Sequence, residues 1–230
     1  DGSFDRYGYP DVPAHVFINT SVIAKAPKEY FWAGVGDGIS KAPEVEHAVA
    51  AAVERGVELP HTAVLGAAIA ASSKDAFYKY GEQGIKDVEN GTVSKAIEEV
   101  ALDIVVSTGY ASNLVNQDDF YYNSCHAHAF YNATTAIKKE KEPLHGQVVA
   151  FGVIVLHAYF NELEELKKVI TFNKKLGLPV SLAEIGLKAS DAEKITELAM
   201  KTNEYKQTPF DKEKYIEAIK LADKMGSENA

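Results

Sequence analysis

The chain of 230 residues is 46% hydrophobic and 25% charged, the composition of an ordinary globular protein with a sizeable core. Its 33 acidic residues outnumber 24 basic ones for a net charge of −9, and Arg6 and Arg55 are its only arginines. That balance argues against nucleic acid as a partner and supplies bidentate phosphate clamps poorly.

The chain opens at Asp1 in a turn-rich stretch that reads as the interior of a longer protein. Val16-Phe17-Ile18 then predicts one buried strand, whose partners are expected elsewhere because no second strand follows. Everything after it reads as helical. Pro27 suits a first helical turn, Gly34, Gly36 and Gly38 interrupt, and helical pattern resumes over 43–55. Pro60 opens a helix whose alanines over 63–71 admit close neighbours. Val93, Ala96, Ile97, Val100, Ala101, Ile104 and Val105 keep three-and-four spacing, which gives one apolar face.

Two further helices are predicted over 124–139 and 144–159, the second apolar nearly all round, as in a central helix. That apolar run is broken by Gly152 and His157 and is too short to span a bilayer. Asn161 with Glu164 predicts a capping box for a helix ending at Gly177, and Ser190 with Glu193 predicts another. Asp211 starts a last helix that stops at Gly226. The expected fold is mainly α, a helical bundle over 25–230 preceded by a short β remnant within 1–24. Cys125 is the single cysteine and no signal segment is visible, so a cytoplasmic protein without disulfides is expected.

The histidines are His15, His47, His61, His126, His128, His145 and His157. His126 and His128 stand two apart on a predicted helix and point roughly oppositely, so one of them at most faces a given site. His128 shares its face with Asn132. From His128 the helix climbs about 14 Å to Ile137, and the seven residues that follow can span roughly 23 Å, so His145 can return to the level of His128. Asp37, flanked by glycines in Gly34-Val-Gly-Asp-Gly-Ile39, reads as a turn or helix cap, or as a carboxylate at a close approach of chain segments. Two histidines with one aspartate would make an open catalytic metal site, since three protein ligands leave a position for substrate oxygen.

Three stretches together resemble the glycerol dehydrogenase branch of the iron-containing alcohol dehydrogenase and dehydroquinate-synthase-like superfamily. They run from Ala24-Lys-Ala-Pro27 through Gly34-Val-Gly-Asp37, then Ala127-His-Ala-Phe-Tyr-Asn132, then His145-Gly-Gln-Val-Val-Ala-Phe-Gly152. Thr208-Pro-Phe210 before a final helix fits as well. The resemblance implies that Asp37, His128 and His145 bind one divalent metal, zinc or iron, with His126 and Asn132 as outer candidates. The fourth ligand of the iron-type enzymes falls at Lys41, which favours the three-ligand pattern. Tyr131 and Gln147 depart from the residues usual at their positions, a histidine and a glutamate. Family members also carry an N-terminal nucleotide-binding domain with a glycine-rich phosphate loop. No such loop is found in this sequence, and Val16-Phe17-Ile18 would be the last strand of that domain.

The resemblance thus implies NAD- or NADP-linked oxidation of glycerol or another small polyol, with the metal as Lewis acid, by a homo-oligomeric parent protein. The chain alone is expected to be inactive. A glycerol-1-phosphate dehydrogenase, a lyase like dehydroquinate synthase, and a non-catalytic helical module are the other readings.

Overall fold

The computed structural model describes residues 14–140 and 142–228. In chain order the helices are α1 (Thr20–Lys25), α2 (Lys28–Gly38), α3 (Lys41–Glu54), α4 (His61–Glu89), α5 (Lys95–Leu102) and α6 (Thr108–Val115), then α7 (His126–Thr135), α8 (His145–Tyr159), α9 (Leu163–Leu176), α10 (Ala192–Ala199), α11 (Asn203–Gln207) and α12 (Lys212–Glu228). A two-stranded antiparallel ribbon, β1 (Asn116–Gln117) and β2 (Phe120–Tyr121), separates α6 from α7. Among the described residues the protein is mainly α, as the sequence predicts.

The apolar segment 144–159 becomes the axis of the molecule. From Val148 to Tyr159 every residue of α8 is buried, and α2, α7, α9 and α12 pack around it. Close packing depends on small residues. A Cβ on Gly66 of α4 would lie 2.6 Å from the Val115 side chain of α6, so α4 and α6 touch along the alanine-rich stretch. Ser94 caps α5 by accepting from the Ile97 N–H at 3.3 Å. The helix then widens into a π turn over Asp103–Ser107 before α6, which the heptad-like spacing of Val93 to Val105 does not signal.

Several expectations need correction. Val16, Phe17 and Ile18 pair with no strand, and Phe17 is 93% exposed. A strand needs a neighbour to take its N–H and C=O groups, and none of the described residues supplies one. The glycines at 34, 36 and 38 do not interrupt a helix, since α2 runs through all three. Asn161 adopts a left-handed φ of 59° and turns the chain out of α8, so it makes no capping box; Glu162 is the residue before α9. Ser190 falls inside a short 3-10 turn, where the Asp191 carboxylate instead accepts from the Lys188 N–H at 2.9 Å.

Gly177, left-handed at φ 75°, ends α9 as predicted. Asp211 caps α12 by accepting from the Lys214 N–H at 2.8 Å. Gly226, predicted as a stop, lies within α12, and a Cβ there would sit 1.7 Å from the Val180 carbonyl oxygen. It serves close approach rather than termination.

Candidate metal centre

Three helices converge through backbone contacts that only glycine permits. A Cβ on Gly36 of α2 would lie 2.5 Å from the Gly146 oxygen of α8, and one on Gly146 would lie 1.8 Å from the Ala33 oxygen. A Cβ on Gly152 would meet the Ala127 oxygen of α7 at 2.7 Å. Asp37 follows Gly36, His145 precedes Gly146 and His128 follows Ala127. The contacts that lock α2, α7 and α8 together therefore also bring their polar side chains to one point.

Asp37 Oδ1 lies 3.1 Å from His145 Nε2 and 3.4 Å from His128 Nε2. One ligand atom from each of the three residues falls within 4.8 Å of the others. Ligands about 2.1 Å from a tetrahedral ion stand roughly 3.4 Å apart, so this donor set fits a divalent cation with little movement. The side chains of Asp37 and His145 are 41% and 42% exposed while that of His128 is 16% exposed, so the group is open on one side. The Tyr131 ring stands edge-on to His145, with centroids 4.2 Å apart.

The residue that the sequence reading missed is Glu44. It is fully buried on α3, and its Oε2 lies 2.5 Å from His128 Nδ1. Its Oε1 accepts from the backbone N–H groups of Cys125 at 2.8 Å and His128 at 3.0 Å. A signal for it was present, since Glu44 shares the buried face of α3 with Val45, Ala48 and Ala52 at helical spacing. A carboxylate on such a face needs a partner. Lys41, on the same face, donates to the side chain and the carbonyl of Asn123 at 2.7 and 3.1 Å.

The electrostatics follow from burial opposed by partners. Burial disfavours the imidazolium of His128, yet Glu44 and Asp37 outweigh it and raise its pKa to about 10. Burial also works against ionised Asp37, but the hydrogen bonds and charges of His128 and His145 hold its carboxyl well below the usual range. Burial pushes the Lys41 ammonium down, against the attraction of Glu44 and Asp37.

Of the outer candidates, His126 is not part of this group. Its ring packs among Tyr159, Phe160, Phe210 and Tyr215, and neither ring nitrogen has a hydrogen-bond partner among the described residues. Burial drives its pKa down to about 3. Two residues along a helix place it on the face opposite His128. Asn132 is half-buried one turn beyond His128. Gln147 accepts from the Leu144 N–H at 2.7 Å and so caps the start of α8.

No family model matches the chain. Glycerol dehydrogenase of Thermotoga maritima is 28% identical over 240 residues, which cover 98% of this chain and 62% of that protein. Glycerol dehydrogenase of Citrobacter freundii is 32% identical over 206 residues, 87% of this chain and 53% of that protein. The crystal structure of glycerol dehydrogenase from Schizosaccharomyces pombe superposes with a TM-score of 0.77 at 25% identity, over 92% of this chain and 55% of that one. The chain thus spans between about half and three fifths of the length of these relatives. On sequence and fold together, it belongs to the glycerol dehydrogenase-like branch of the dehydroquinate synthase-like superfamily, of which it has the mainly α part.

Proposed function

We propose that this chain is the metal-binding half of an NAD- or NADP-linked dehydrogenase acting on glycerol or a related small polyol, with Asp37, His128 and His145 as the ligands of one divalent metal, zinc or iron. Residues 1–24 would end the nucleotide-binding half and 25–230 form the helical half. The observation that carries the reading is the meeting of one carboxylate and two imidazoles at ligand-to-ligand separations of 3.1 and 3.4 Å.

A divalent ion bound by such a set supplies a Lewis acid that makes a coordinated hydroxyl more acidic. The side chains do the rest. His128 and His145 present Nε2 and Asp37 presents a carboxylate oxygen from rigid helices, while the exposed flank of Asp37 and His145 leaves an approach for a polyol oxygen. Tyr131 covers one side of His145 and limits how that ring turns. Hydride acceptance would fall to a nicotinamide held by a nucleotide-binding half.

A phosphorylated substrate is less well served. Arg55 is exposed at the end of α3, and eleven residues of helix place it about 16 Å along the axis from Glu44. The test is NAD and NADP reduction by the parent protein with glycerol, 1,2-propanediol and glycerol 1-phosphate, with and without chelator. Metal-dependent turnover of the diols is expected. Turnover confined to the phosphate ester, or none that responds to metal, would contradict the proposal.

A further inference from the structure

We infer that Glu44 is the positioning residue of this centre: from another helix it both caps the start of α7 and decides which nitrogen of His128 faces the metal position. The inference rests on the reading of His128 as a ligand. The helix α7 has no side-chain cap of its own, because its first flanking residue is Cys125, with φ −145° and ψ −108°. Its opening N–H groups would be orphaned in a buried environment. Glu44 reaches across from α3 and takes two of them, those of Cys125 and His128, on Oε1. A negative charge there also matches the positive end of the helix dipole.

The second oxygen is then committed to His128 Nδ1 at 2.5 Å. An ionised carboxylate only accepts, so Nδ1 must carry a hydrogen. Nε2 is thereby left as the nitrogen that faces Asp37 Oδ1, 3.4 Å away, and His145. One side chain thus fixes where α7 begins, how the ring is turned and which nitrogen can donate its lone pair. Three donors satisfy the buried carboxylate, which repays the cost of removing it from water.

Glutamine has the same shape but cannot do the same work. If its oxygen keeps the two backbone N–H groups, its amide hydrogens face Nδ1, and that nitrogen must become the acceptor. The hydrogen then moves to Nε2 and occupies the lone pair a metal needs. The alternative flip sets an amide donor against two backbone donors, which is worse.

The experiment compares wild type with Glu44→Gln, measuring zinc affinity by competition with a chromogenic chelator. In the metal-free protein, at a pH high enough that the His128 ring keeps a single hydrogen, that hydrogen is located by nitrogen-detected NMR. Expected are a loss of about 10- to 100-fold in zinc affinity, and an Nδ1 that carries hydrogen in wild type and none in the variant. Zinc affinity within about threefold of wild type, well short of the outer-shell effect, or an Nδ1 that keeps its hydrogen in Glu44→Gln, would overturn the inference. Should Glu44→Gln fail to fold by circular dichroism, Glu44→Asp keeps the charge on a shorter arm. It must then also lose zinc affinity, and wild-type affinity in that variant overturns the inference. A wild-type chain that binds no zinc defeats the ligand assignment itself, while the ring-nitrogen signature still decides the role of Glu44.

Discussion

Replacing His128 with alanine should weaken zinc binding by about 100- to 1,000-fold. Zinc sites of four ligands hold their metal with about 10–16 kcal/mol, which is roughly 2.5–4 kcal/mol per ligand. A three-ligand site has no spare donor to compensate. His128→Ala also strips Glu44 of its imidazole partner while leaving its two backbone contacts, so α7 keeps its cap and the fold persists. Competition titration with a chelator reads the affinity, and circular dichroism on the same sample confirms the helices. Retention of wild-type affinity would remove His128 from the ligand set.

Gly146→Ala should be the most damaging single methyl near the centre. The added Cβ would lie 1.8 Å from the Ala33 carbonyl oxygen, a backbone atom that cannot rotate aside, so α2 and α8 must separate. Overpacking of this kind costs about 3 kcal/mol or more, equivalent to a fall in Tm of about 6–12 °C for a chain of this size. The separation would also pull Asp37 away from His145, which now stand 3.1 Å apart, so zinc affinity should fall along with stability. Gly109→Ala is the matched control, since nothing lies within 4 Å of a Cβ there and alanine is the better helix former. A thermal melt in which both variants behave like wild type would contradict the backbone contact.

The helices that bury one clear face or every face were legible in the sequence. The run 144–159 announced a central helix and became α8, because an element apolar all round has nowhere else to go. The convergence of Asp37, His128 and His145 was signalled by the family resemblance, whereas loop length alone permitted it without requiring it. The glycines around Asp37 were half understood. Close approach was one of two readings, beside a turn or helix cap, and the helix runs through them, because the cost of glycine in a helix is small beside the packing of α2 on α8.

The missed features share one cause: each depends on a distant partner. Val16 to Ile18 has strand-like residues without a neighbour to pair with among the described residues. Ser190 and Asn161 match a local capping pattern, yet the tertiary path of the chain gives the turns to Asp191 and Glu162. Glu44 shows in its own segment only as a carboxylate on an apolar helical face, and its role does not, because its three donors lie more than eighty residues away on α7 and the residue before it.

One cation is proposed to sit between Asp37, His128 and His145. A crystal of the zinc-loaded chain, with anomalous data collected on both sides of the zinc edge, tests it most directly. One peak is expected within about 2.0–2.2 Å of Nε2 of both histidines and of an Asp37 carboxylate oxygen, with a further position open to solvent. A zinc peak on other residues, or none at this site with the metal in excess, would contradict it.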